Sequence, residues 1–569
     1  MKTTPWNSVV QALQAEGVEY IFGLPGDTRQ LLPELASQSK IKFVLVRHEA
    51  SAVACAYAYA RVTGKIGICY ASPGPGTANL VTGLLEATTG CLPIIALASG
   101  TENKSEGMGA FQELDAQNLM RPVTKWAVRV TDPARVPWVM QRAFALAVNG
   151  KPGAVFIEIP SDIGLRVTEI DDYKICLGRH RMRPDAGSVR AAARVLSQSE
   201  RPLMLCGSGA ILSKAANQVK ALSEAGGIPV FTTPGGRGII SEAHDLALGQ
   251  VGLYFTDVGK SYYDKADVIF SIGSRLEAFS TGSWQLFPQG AKLIQLDIDP
   301  NTIAMNWRPD VALVGDAALA LSDIFNELEP IVEPDRRKVR IEQIKTAKSR
   351  YFKAIEQEIK QKQKPIRPPQ VVAAINKVFG RNTILVKENG GTDLWCYYWP
   401  YYKVLDVGDC VPMAEQTAMG FGVAGTIGAK LGRPDKKVVC VTGDGALQMA
   451  MMELATAAEC NCGITWVVMN NQCLGWPQYH QVLTDQPRLG TDFKVSPDFS
   501  ALAETQGCKG IRVTEPEQVE PALTETLHAN EKGIPVLVDF HTARHDYPKH
   551  FVQLHEQSTR KEVQCLEKR

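Results

Sequence analysis

Short apolar runs typical of buried strands alternate with helical stretches along almost the whole of this 569-residue chain. Early examples are the runs at 41–46, 66–71, 93–98 and 154–159. Parallel strands are buried on both faces and need a crossover between them, so this alternation predicts βαβ units and parallel sheets. At roughly 100–200 residues per domain, the length predicts about three domains. We therefore expect the α/β class, with three doubly wound parallel-sheet domains.

Interruptions of the alternation place the domain boundaries. A charged stretch separates the first two domains, and a segment rich in Lys, Arg and Gln precedes the third. We interpret that segment as a solvated linker helix rather than a nucleic-acid-binding arm, because 61 Lys and Arg against 60 Asp and Glu leave a charge of +1. The predicted segments are an N-terminal domain at 1–165, a central domain at 185–330, a linker at 331–369, a C-terminal domain at 370–545 and a tail at 546–569.

Composition narrows the class of protein. A near-neutral chain has no overall basic field to attract nucleic acid or an anionic membrane surface, so neither is an expected partner. The 13 cysteines are scattered, several of them within apolar runs, which is typical of a reducing compartment. The N-terminus lacks the apolar core of a signal peptide, and no run approaches the length of about 18 apolar residues that a membrane span needs. We expect a cytoplasmic protein.

The most specific motif lies in the predicted C-terminal domain. A strand-like run at 437–441 leads into a Gly-Asp-Gly turn at 443–445, a helical stretch follows at 446–459, and a second strand at 464–469 ends in the Asn-Asn pair 470–471. Such a turn presents backbone N–H groups and a carboxylate to a diphosphate and its cation. Asp and Asn oxygens suit Mg²⁺. Two ordinary tight turns are the alternative, but the spacing favours a diphosphate–Mg²⁺ site.

These two motifs resemble the thiamine-diphosphate motif of the family that includes acetolactate synthase, pyruvate oxidase and benzoylformate decarboxylase, and within it the acetolactate synthase large subunit. The resemblance implies pyrimidine-binding, central and diphosphate-binding domains, with thiamine diphosphate and Mg²⁺ as cofactors. It implies that Asp444, Asn471 and the backbone carbonyl of Cys473 hold the Mg²⁺. Further implied cofactor-binding residues in the C-terminal domain are Thr392, Met419, Gly443, Gly445, Ala446, Leu474 and Gly475.

The N-terminal domain carries the rest of the resemblance, in the runs 22–26, 47–50 and 72–80. The resemblance implies that Glu49 contacts N1′ of the aminopyrimidine in the site of the neighbouring subunit, and that Gln112 takes part in catalysis. A carboxyl group that is hydrogen-bonded to the pyrimidine promotes its imino tautomer, and this tautomer can deprotonate the thiazolium carbon. The implied cofactor-binding residues of this domain are Pro25, Gly26, Glu49 and Asn79.

Departures from the family pattern bear on the acceptor and on a second cofactor. Arg275 remains from a stretch of FAD-binding acetolactate synthases whose acidic pair is replaced here, so FAD, ADP or no nucleotide stay open. His480 stands where biosynthetic members have a Trp that shapes the acceptor pocket, and it is either a proton donor or a space-filling residue. His545, His550 and His555 are typical of a solvated tail rather than a metal site, or of a tail that folds over the active site.

The resemblance implies an enzyme that decarboxylates a 2-oxo acid and joins the product to a second carbonyl compound, as acetolactate synthase does. Simple decarboxylation, with His480 as the acid, and flavin-dependent oxidation of the same intermediate are the alternatives. Glu49 and Asp444 lie in different domains, and the family places them on opposite subunits. The expected assembly is therefore a homodimer or homotetramer with active sites between subunits. The residues that match the acetolactate synthase branch are Phe111, Gln112, Lys125 and Met419.

Overall fold

The protein is described by a computed structural model over residues 2–26, 29–38, 40–176, 178–328 and 334–556. These residues form three six-stranded sheets in which all paired strands are parallel. The predicted α/β class with three doubly wound parallel-sheet domains is therefore confirmed. The chain divides into two compact units, one formed by 1–180, 413–435 and 450–462, the other by 181–412, 436–449 and 463–569.

The first unit contains the N-terminal sheet. The strands of this sheet are β2 (Tyr20–Leu24), β3 (Lys42–Leu45), β4 (Gly67–Ala71), β5 (Ile94–Gly100), β6 (Trp126–Arg129) and β7 (Ala154–Pro160), while β1 (Lys2–Thr3) and β8 (Thr168–Glu169) pair with each other in a separate antiparallel sheet. Its helices are α1 (Pro5–Ala15), α2 (Leu31–Gln38), α3 (Glu49–Thr63), α4 (Pro75–Thr89), α5 (Ala116–Met120), α6 (Val136–Val148) and α7 (Ser161–Gly164). The strand order is β3-β2-β4-β5-β7-β6, and β4, β5 and β7 are buried along their whole length.

The second unit begins with the central sheet, of order β11-β10-β9-β12-β13-β14. These strands are β9 (Pro202–Cys206), β10 (Val230–Thr232), β11 (Ala247–Gln250), β12 (Val268–Ile272), β13 (Lys292–Asp297) and β14 (Val311–Val314). The accompanying helices are α8 (Ala186–Gln198), α9 (Ser208–Leu212), α10 (Ala216–Gly226), α11 (Asp257–Tyr263), α12 (Ala278–Thr281) and α13 (Ala317–Leu328), and the linker helix is α14 (Pro334–Ile359).

The C-terminal sheet has the order β16-β15-β17-β18-β20-β19. Its strands are β15 (Thr383–Lys387), β16 (Cys410–Val411), β17 (Lys437–Gly443), β18 (Thr465–Asn470), β19 (Lys509–Val513) and β20 (Val536–His541). The helices of this part of the chain are α15 (Pro368–Phe379), α16 (Phe421–Gly432), α17 (Asp444–Ala450), α18 (Glu453–Glu459), α19 (Gly475–Leu483), α20 (Phe499–Thr505) and α21 (Val519–Asn530). The single helical stretch predicted at 446–459 is thus two helices, which the turn at Met451 and Met452 separates.

Helix α16 also belongs to the first unit, where it packs against α3. A methyl group on Gly428 of α16 would lie 1.9 Å from the carbonyl oxygen of Cys55 in α3, so only glycine permits this approach of the two backbones. The Cys55 thiol in turn donates to the Ala424 carbonyl at 3.2 Å. On α18, the Glu453 carboxylate accepts from the Arg47 N–H at 2.9 Å, directly before α3. These contacts hold the middle of α3 against α16 and the residues just before α3 against α18.

Each sheet has a point where the crossovers change direction, and ligands of open α/β sheets bind at the carboxyl ends of the strands beside it. In the N-terminal sheet the chain runs from β2 outward to β3 and then from β4 to β5, so the point lies between β2 and β4. In the C-terminal sheet the corresponding pair is β15 and β17, and in the central sheet it is β9 and β12. The Gly-rich segments singled out in the sequence follow these strands.

Candidate active site

The Gly-Asp-Gly turn lies at the switch point of the C-terminal sheet, where β17 ends at Gly443 and Asp444 begins α17. The Asp444 side chain is 2% exposed. Its Oδ2 accepts from the main-chain N–H of Gln472 at 2.8 Å, and its Oδ1 accepts from the N–H of Gly445 at 3.0 Å. The loop after β17 and the loop after β18 therefore meet at one buried carboxyl group, as the spacing of the two motifs predicts.

The electrostatics of Asp444 favour a cation at this position. Burial raises the pKa of this carboxyl to about 7, although hydrogen bonds from the Gln472 and Gly445 amides lower it. A buried carboxylate is costly unless a positive charge compensates it. The described residues contain no cluster of three or more His, Cys, Asp or Glu side chains that could hold a metal ion. A site here would thus combine one carboxylate with neutral oxygens, which suits a cation shared with a phosphate.

Neutral oxygens are available in the loop after β18. The Asn471 side chain is buried, and its Oδ1 accepts from the N–H of Cys473 at 3.3 Å. Cys473 is also buried, and its backbone pairs with Asp492. Asn470 instead stabilises the core of the sheet, where its amide donates to Asp539 Oδ1 at 3.0 Å. The two adjacent asparagines diverge because successive side chains of a strand point to opposite faces.

Small residues let the loops of this half-site approach each other. A methyl group on Gly445 would lie 2.9 Å from Leu474, whereas one on Gly443 would meet no atom within 4 Å. Ala446 is buried and Leu474 half-buried. Gly391 and Gly475 face Tyr547 of the C-terminal segment. The side chain of Thr392 lies outside the described residues; its backbone starts the short 3₁₀ helix Thr392–Cys396 after β15.

Glu49 organises a second half-site in the N-terminal domain. It is the first residue of α3 and is 5% exposed. The amide of Asn79, on α4, donates to Glu49 Oε2 at 2.9 Å. A methyl group on Gly76 would lie 3.0 Å from Glu49 Oε1 and 2.4 Å from the hydroxyl oxygen of Ser72, so the space beside Oε1 exists because residue 76 is glycine.

The ends of β2 and β4 supply the rest of this half-site. Pro25 and Gly26 follow β2, and a methyl group on Gly26 would lie 2.7 Å from Cβ of Ser72. Gly74 has a φ of +62°, and a methyl group there would lie 2.9 Å from Cβ of Gln112, which itself has a φ of +60°. The structure thus brings the predicted residues Pro25, Gly26, Glu49, Asn79 and Gln112 to one edge of the sheet.

Met419 is half-buried and directly precedes Gly420, which has a φ of +82° and is the N-cap residue of α16. The loop that leads to it is held by Glu86 of α4, a fully buried residue that the sequence motifs do not include. The Glu86 carboxylate accepts from the N–H groups of Ala414 and Ala418, at 2.5 and 3.4 Å. Burial raises the pKa of Glu86 to about 6. The available signal was that Glu86 is the only charged residue of α4, but its partners lie more than 300 residues away.

Lys125 and Phe111 both match the acetolactate synthase branch, but the structure gives Lys125 a role in helix stability and leaves Phe111 exposed. The Lys125 ammonium group donates to the carbonyl oxygens of Leu146, Asn149 and Lys151 at 2.5, 2.9 and 2.7 Å. It therefore neutralises the carboxyl end of α6, where cations stabilise a helix. Phe111 is 88% exposed, so it has no packing role in the first unit.

The segment after β20 is packed rather than solvated. Residues 549–556 are helical, and the Phe551 ring lies 4.8 Å from the ring of Trp476 on α19. The half-buried His480 lies next to His555, with 5.6 Å between ring centroids. His550 Nε2 lies 2.8 Å from Asp257 Oδ1. Residues 546–556 of the predicted tail thus fold back onto the domain instead of being solvated, and residues 557–569 lie outside the described residues.

Arg275 of the central domain follows β12 and forms an ion pair with Glu277 at 2.8 Å. The loops after β9 and β12 touch at this switch point, since a methyl group on Gly207 would lie 2.3 Å from the Gly273 carbonyl oxygen. A nucleotide phosphate bound here would compete with Glu277 for Arg275. Within the described part of the chain, no helix has both the length and the apolar character needed to cross a bilayer.

Comparison with known proteins places these half-sites in a family context. Residues 6–119 match "Thiamine pyrophosphate enzyme, N-terminal TPP binding domain", 189–324 match "Thiamine pyrophosphate enzyme, central domain", and 392–540 match "Thiamine pyrophosphate enzyme, C-terminal TPP binding domain". A "Probable acetolactate synthase large subunit" of Methanococcus aeolicus is 33% identical over 559 residues, 94% of this chain and 91% of the relative. That of Methanocaldococcus jannaschii is 33% identical over 545 residues, 94% and 90% of the two chains. The "Acetolactate synthase large subunit" of Corynebacterium glutamicum is 32% identical over 553 residues, 95% and 87%.

Proposed function

The chain belongs to the thiamine pyrophosphate enzyme family, and from this membership we propose that it uses thiamine diphosphate and Mg²⁺ to decarboxylate a 2-oxo acid and to join the product to a second carbonyl compound. The observation that carries the proposal is the buried Asp444 carboxyl, which the Gln472 amide holds at the switch point of the C-terminal sheet. The donor and acceptor are small carbonyl compounds. The acetolactate synthases among the relatives are named for a reaction of this kind.

In this proposal the second unit binds the diphosphate end of the cofactor. Asp444, the Asn471 amide oxygen and the Cys473 carbonyl hold Mg²⁺, which prefers oxygen ligands. When bound, thiamine diphosphate supplies an acidic carbon and an electron sink for the decarboxylation. The residues that line the diphosphate are Thr392, Gly443, Gly445, Ala446, Leu474 and Gly475.

The first unit sets the protonation of the aminopyrimidine. Glu49 Oε2 accepts the hydrogen bond of Asn79, while Oε1 lies beside Gly76, and we assign Oε1 as the atom that shares a proton with N1′. A positioned carboxyl group can take up and return a proton, as the tautomer change requires. Pro25, Gly26 and Met419 would hold the ring, and Gln112, beside the Gly74 turn, would orient the acceptor carbonyl.

A second candidate function is simple decarboxylation. It is favoured by one observation, the half-buried His480 on α19, whose imidazole could serve as the proton donor that this reaction needs. Oxidation through a flavin is the third candidate, and the pairing of Arg275 with Glu277 gives it less support.

Product analysis separates these reactions. We expect that the purified protein, given thiamine diphosphate, Mg²⁺ and pyruvate, forms acetolactate, which NMR identifies directly. Acetaldehyde as the main product would instead establish simple decarboxylation, and acetate formed only with added FAD would establish oxidation. If pyruvate is not consumed while the cofactor is bound, the donor is another 2-oxo acid, and a panel of larger acids follows.

We also propose that the active sites lie between subunits, with Glu49 from one chain and Asp444 from the other, in a homodimer or homotetramer. Subunit mixing tests this arrangement. The variants Glu49→Gln and Asp444→Asn are each inactive in the proposal, but a mixed dimer has one site with both residues intact. Random reassortment should therefore restore about a quarter of the wild-type activity in a two-fold symmetric dimer. Mixed dimers seen by native mass spectrometry without recovered activity would contradict sharing of the site.

A further inference from the structure

Tyr547 lies in the segment that follows β20, and its side chain is 7% exposed. Among the described residues, its hydroxyl group has no hydrogen-bond partner. Burying a phenol without a partner costs free energy, and buried tyrosine hydroxyls in native proteins generally find one. The orphaned hydroxyl therefore indicates a partner that is not part of the folded chain.

The hydroxyl is directed at the glycines of the proposed diphosphate site. A methyl group on Gly475, the first residue of α19, would lie 2.9 Å from the Tyr547 oxygen and 3.1 Å from the Asn471 amide nitrogen. A methyl group on Gly391 would lie 3.0 Å from the same oxygen and 3.2 Å from the main-chain nitrogen of Trp476. The hydroxyl thus lies between the loops after β15 and β18, next to the first-turn amides of α19, which have no partner within the helix.

The surroundings hold the ring and keep its proton. The Tyr547 ring packs against Tyr479 and Phe551, with centroid distances of 4.8 and 5.5 Å. Burial raises the pKa of Tyr547 well above its ordinary value, so the group is a hydrogen-bond donor at physiological pH. A fixed hydroxyl donor next to backbone amides, with glycines that leave room beside it, is suited to bind an anion that has several acceptor oxygens.

We propose that the Tyr547 hydroxyl is a ligand of the cofactor's diphosphate, to which it donates a hydrogen bond from the C-terminal segment. This inference rests on the proposed function, because it requires the diphosphate at the Asp444 half-site. It adds a ligand that comes from outside the two sequence motifs. It also gives the packed tail a role, since a bound diphosphate then ties the segment after β20 to α19.

The test is the conservative variant Tyr547→Phe, which removes one oxygen and keeps the ring in its packing. Calorimetry with two probes, thiamine diphosphate and inorganic diphosphate, each with Mg²⁺, measures the affinity of the full-length protein. We expect both to bind about tenfold more weakly, the scale of a lost hydrogen bond to a charged group. The matched control is Tyr479→Phe, in the same aromatic cluster, which should bind both probes as the wild type does.

The melting temperature of the cofactor-free protein separates a ligand from a structural residue. Because the hydroxyl has no partner among the described residues, Tyr547→Phe should melt no lower than the wild type without cofactor, yet gain less on adding cofactor. Wild-type affinity in Tyr547→Phe, or weaker binding accompanied by a lower melting temperature without cofactor, overturns the inference alone. Failure of the wild type to bind thiamine diphosphate overturns the proposed function and the inference with it.

Discussion

The variant Glu49→Gln is expected to turn over a 2-oxo acid about 10²- to 10⁴-fold more slowly than the wild type, the range that positioned acid–base groups contribute. Glutamine keeps the size of the side chain and can still accept the hydrogen bond of Asn79 at one oxygen, so the fold of the half-site is retained. It cannot exchange a proton with the pyrimidine. Pyruvate consumption, or that of the donor found by product analysis, gives the rate, and calorimetry shows whether thiamine diphosphate still binds.

Glu459→Gln is the matched control for that measurement. Its side chain is 59% exposed and pairs with Arg47, so the same chemical change falls on a surface carboxylate worth little to stability. Its turnover should equal that of the wild type. Unchanged turnover in Glu49→Gln would refute the role assigned to Oε1. Loss of cofactor binding in that variant would instead make Glu49 a binding residue.

The second large effect is expected from Asp444→Asn. Asp444 is the single carboxylate of the proposed Mg²⁺ set, and its replacement should weaken Mg²⁺-dependent binding of thiamine diphosphate by at least about 100-fold. Titration of the cofactor at fixed Mg²⁺ measures this loss. Asp435→Asn is the matched control, because Asp435 is exposed and pairs with Arg433 at 2.8 Å. Undiminished cofactor binding in Asp444→Asn would contradict the assignment of the metal site.

Asp444→Asn should weaken cofactor binding without lowering the stability of the cofactor-free protein. The pKa of Asp444 rises from 3.8 to about 7 on burial, so the folded chain keeps a proton that the unfolded chain releases within this range. The contribution of this group to the free energy of unfolding is therefore present at low pH and is lost as the pH rises through 7. At pH 8, Asp444→Asn without cofactor should unfold at no lower temperature than the wild type, which calorimetric scans at several pH values can check.

Subunit sharing links these two variants. Each removes one half of the proposed site, and the halves lie in different compact units of the chain, around Glu49 in one and Asp444 in the other. Full loss in both homogeneous variants, together with partial recovery in the mixture, is the pattern that only a site shared between chains produces.

The sequence by itself determined the fold class and the family, and it predicts the chemical type of both half-sites. Alternating apolar and helical stretches specify parallel sheets because burial on both faces requires apolar strands with crossovers. The Gly-Asp-Gly turn predicts exposed backbone amides and a carboxylate, and the Asn pair predicts an amide oxygen. A few adjacent residues suffice to specify these groups. The turn Pro25–Gly26 is local in the same sense.

Only the tertiary structure decided which side chains meet. Asn470 and Asn471 are neighbours in the chain, yet strand pairing turns Asn470 to Asp539 and leaves Asn471 in the loop. Glu86 holds the loop before Met419 although the two lie more than 300 residues apart in the chain. Tyr547 reaches Gly391 and Gly475 only because β20 returns the chain beside β18. Such contacts depend on sheet order and register, which are set by the packing of the whole domain and leave no periodic or local signal in the residues themselves.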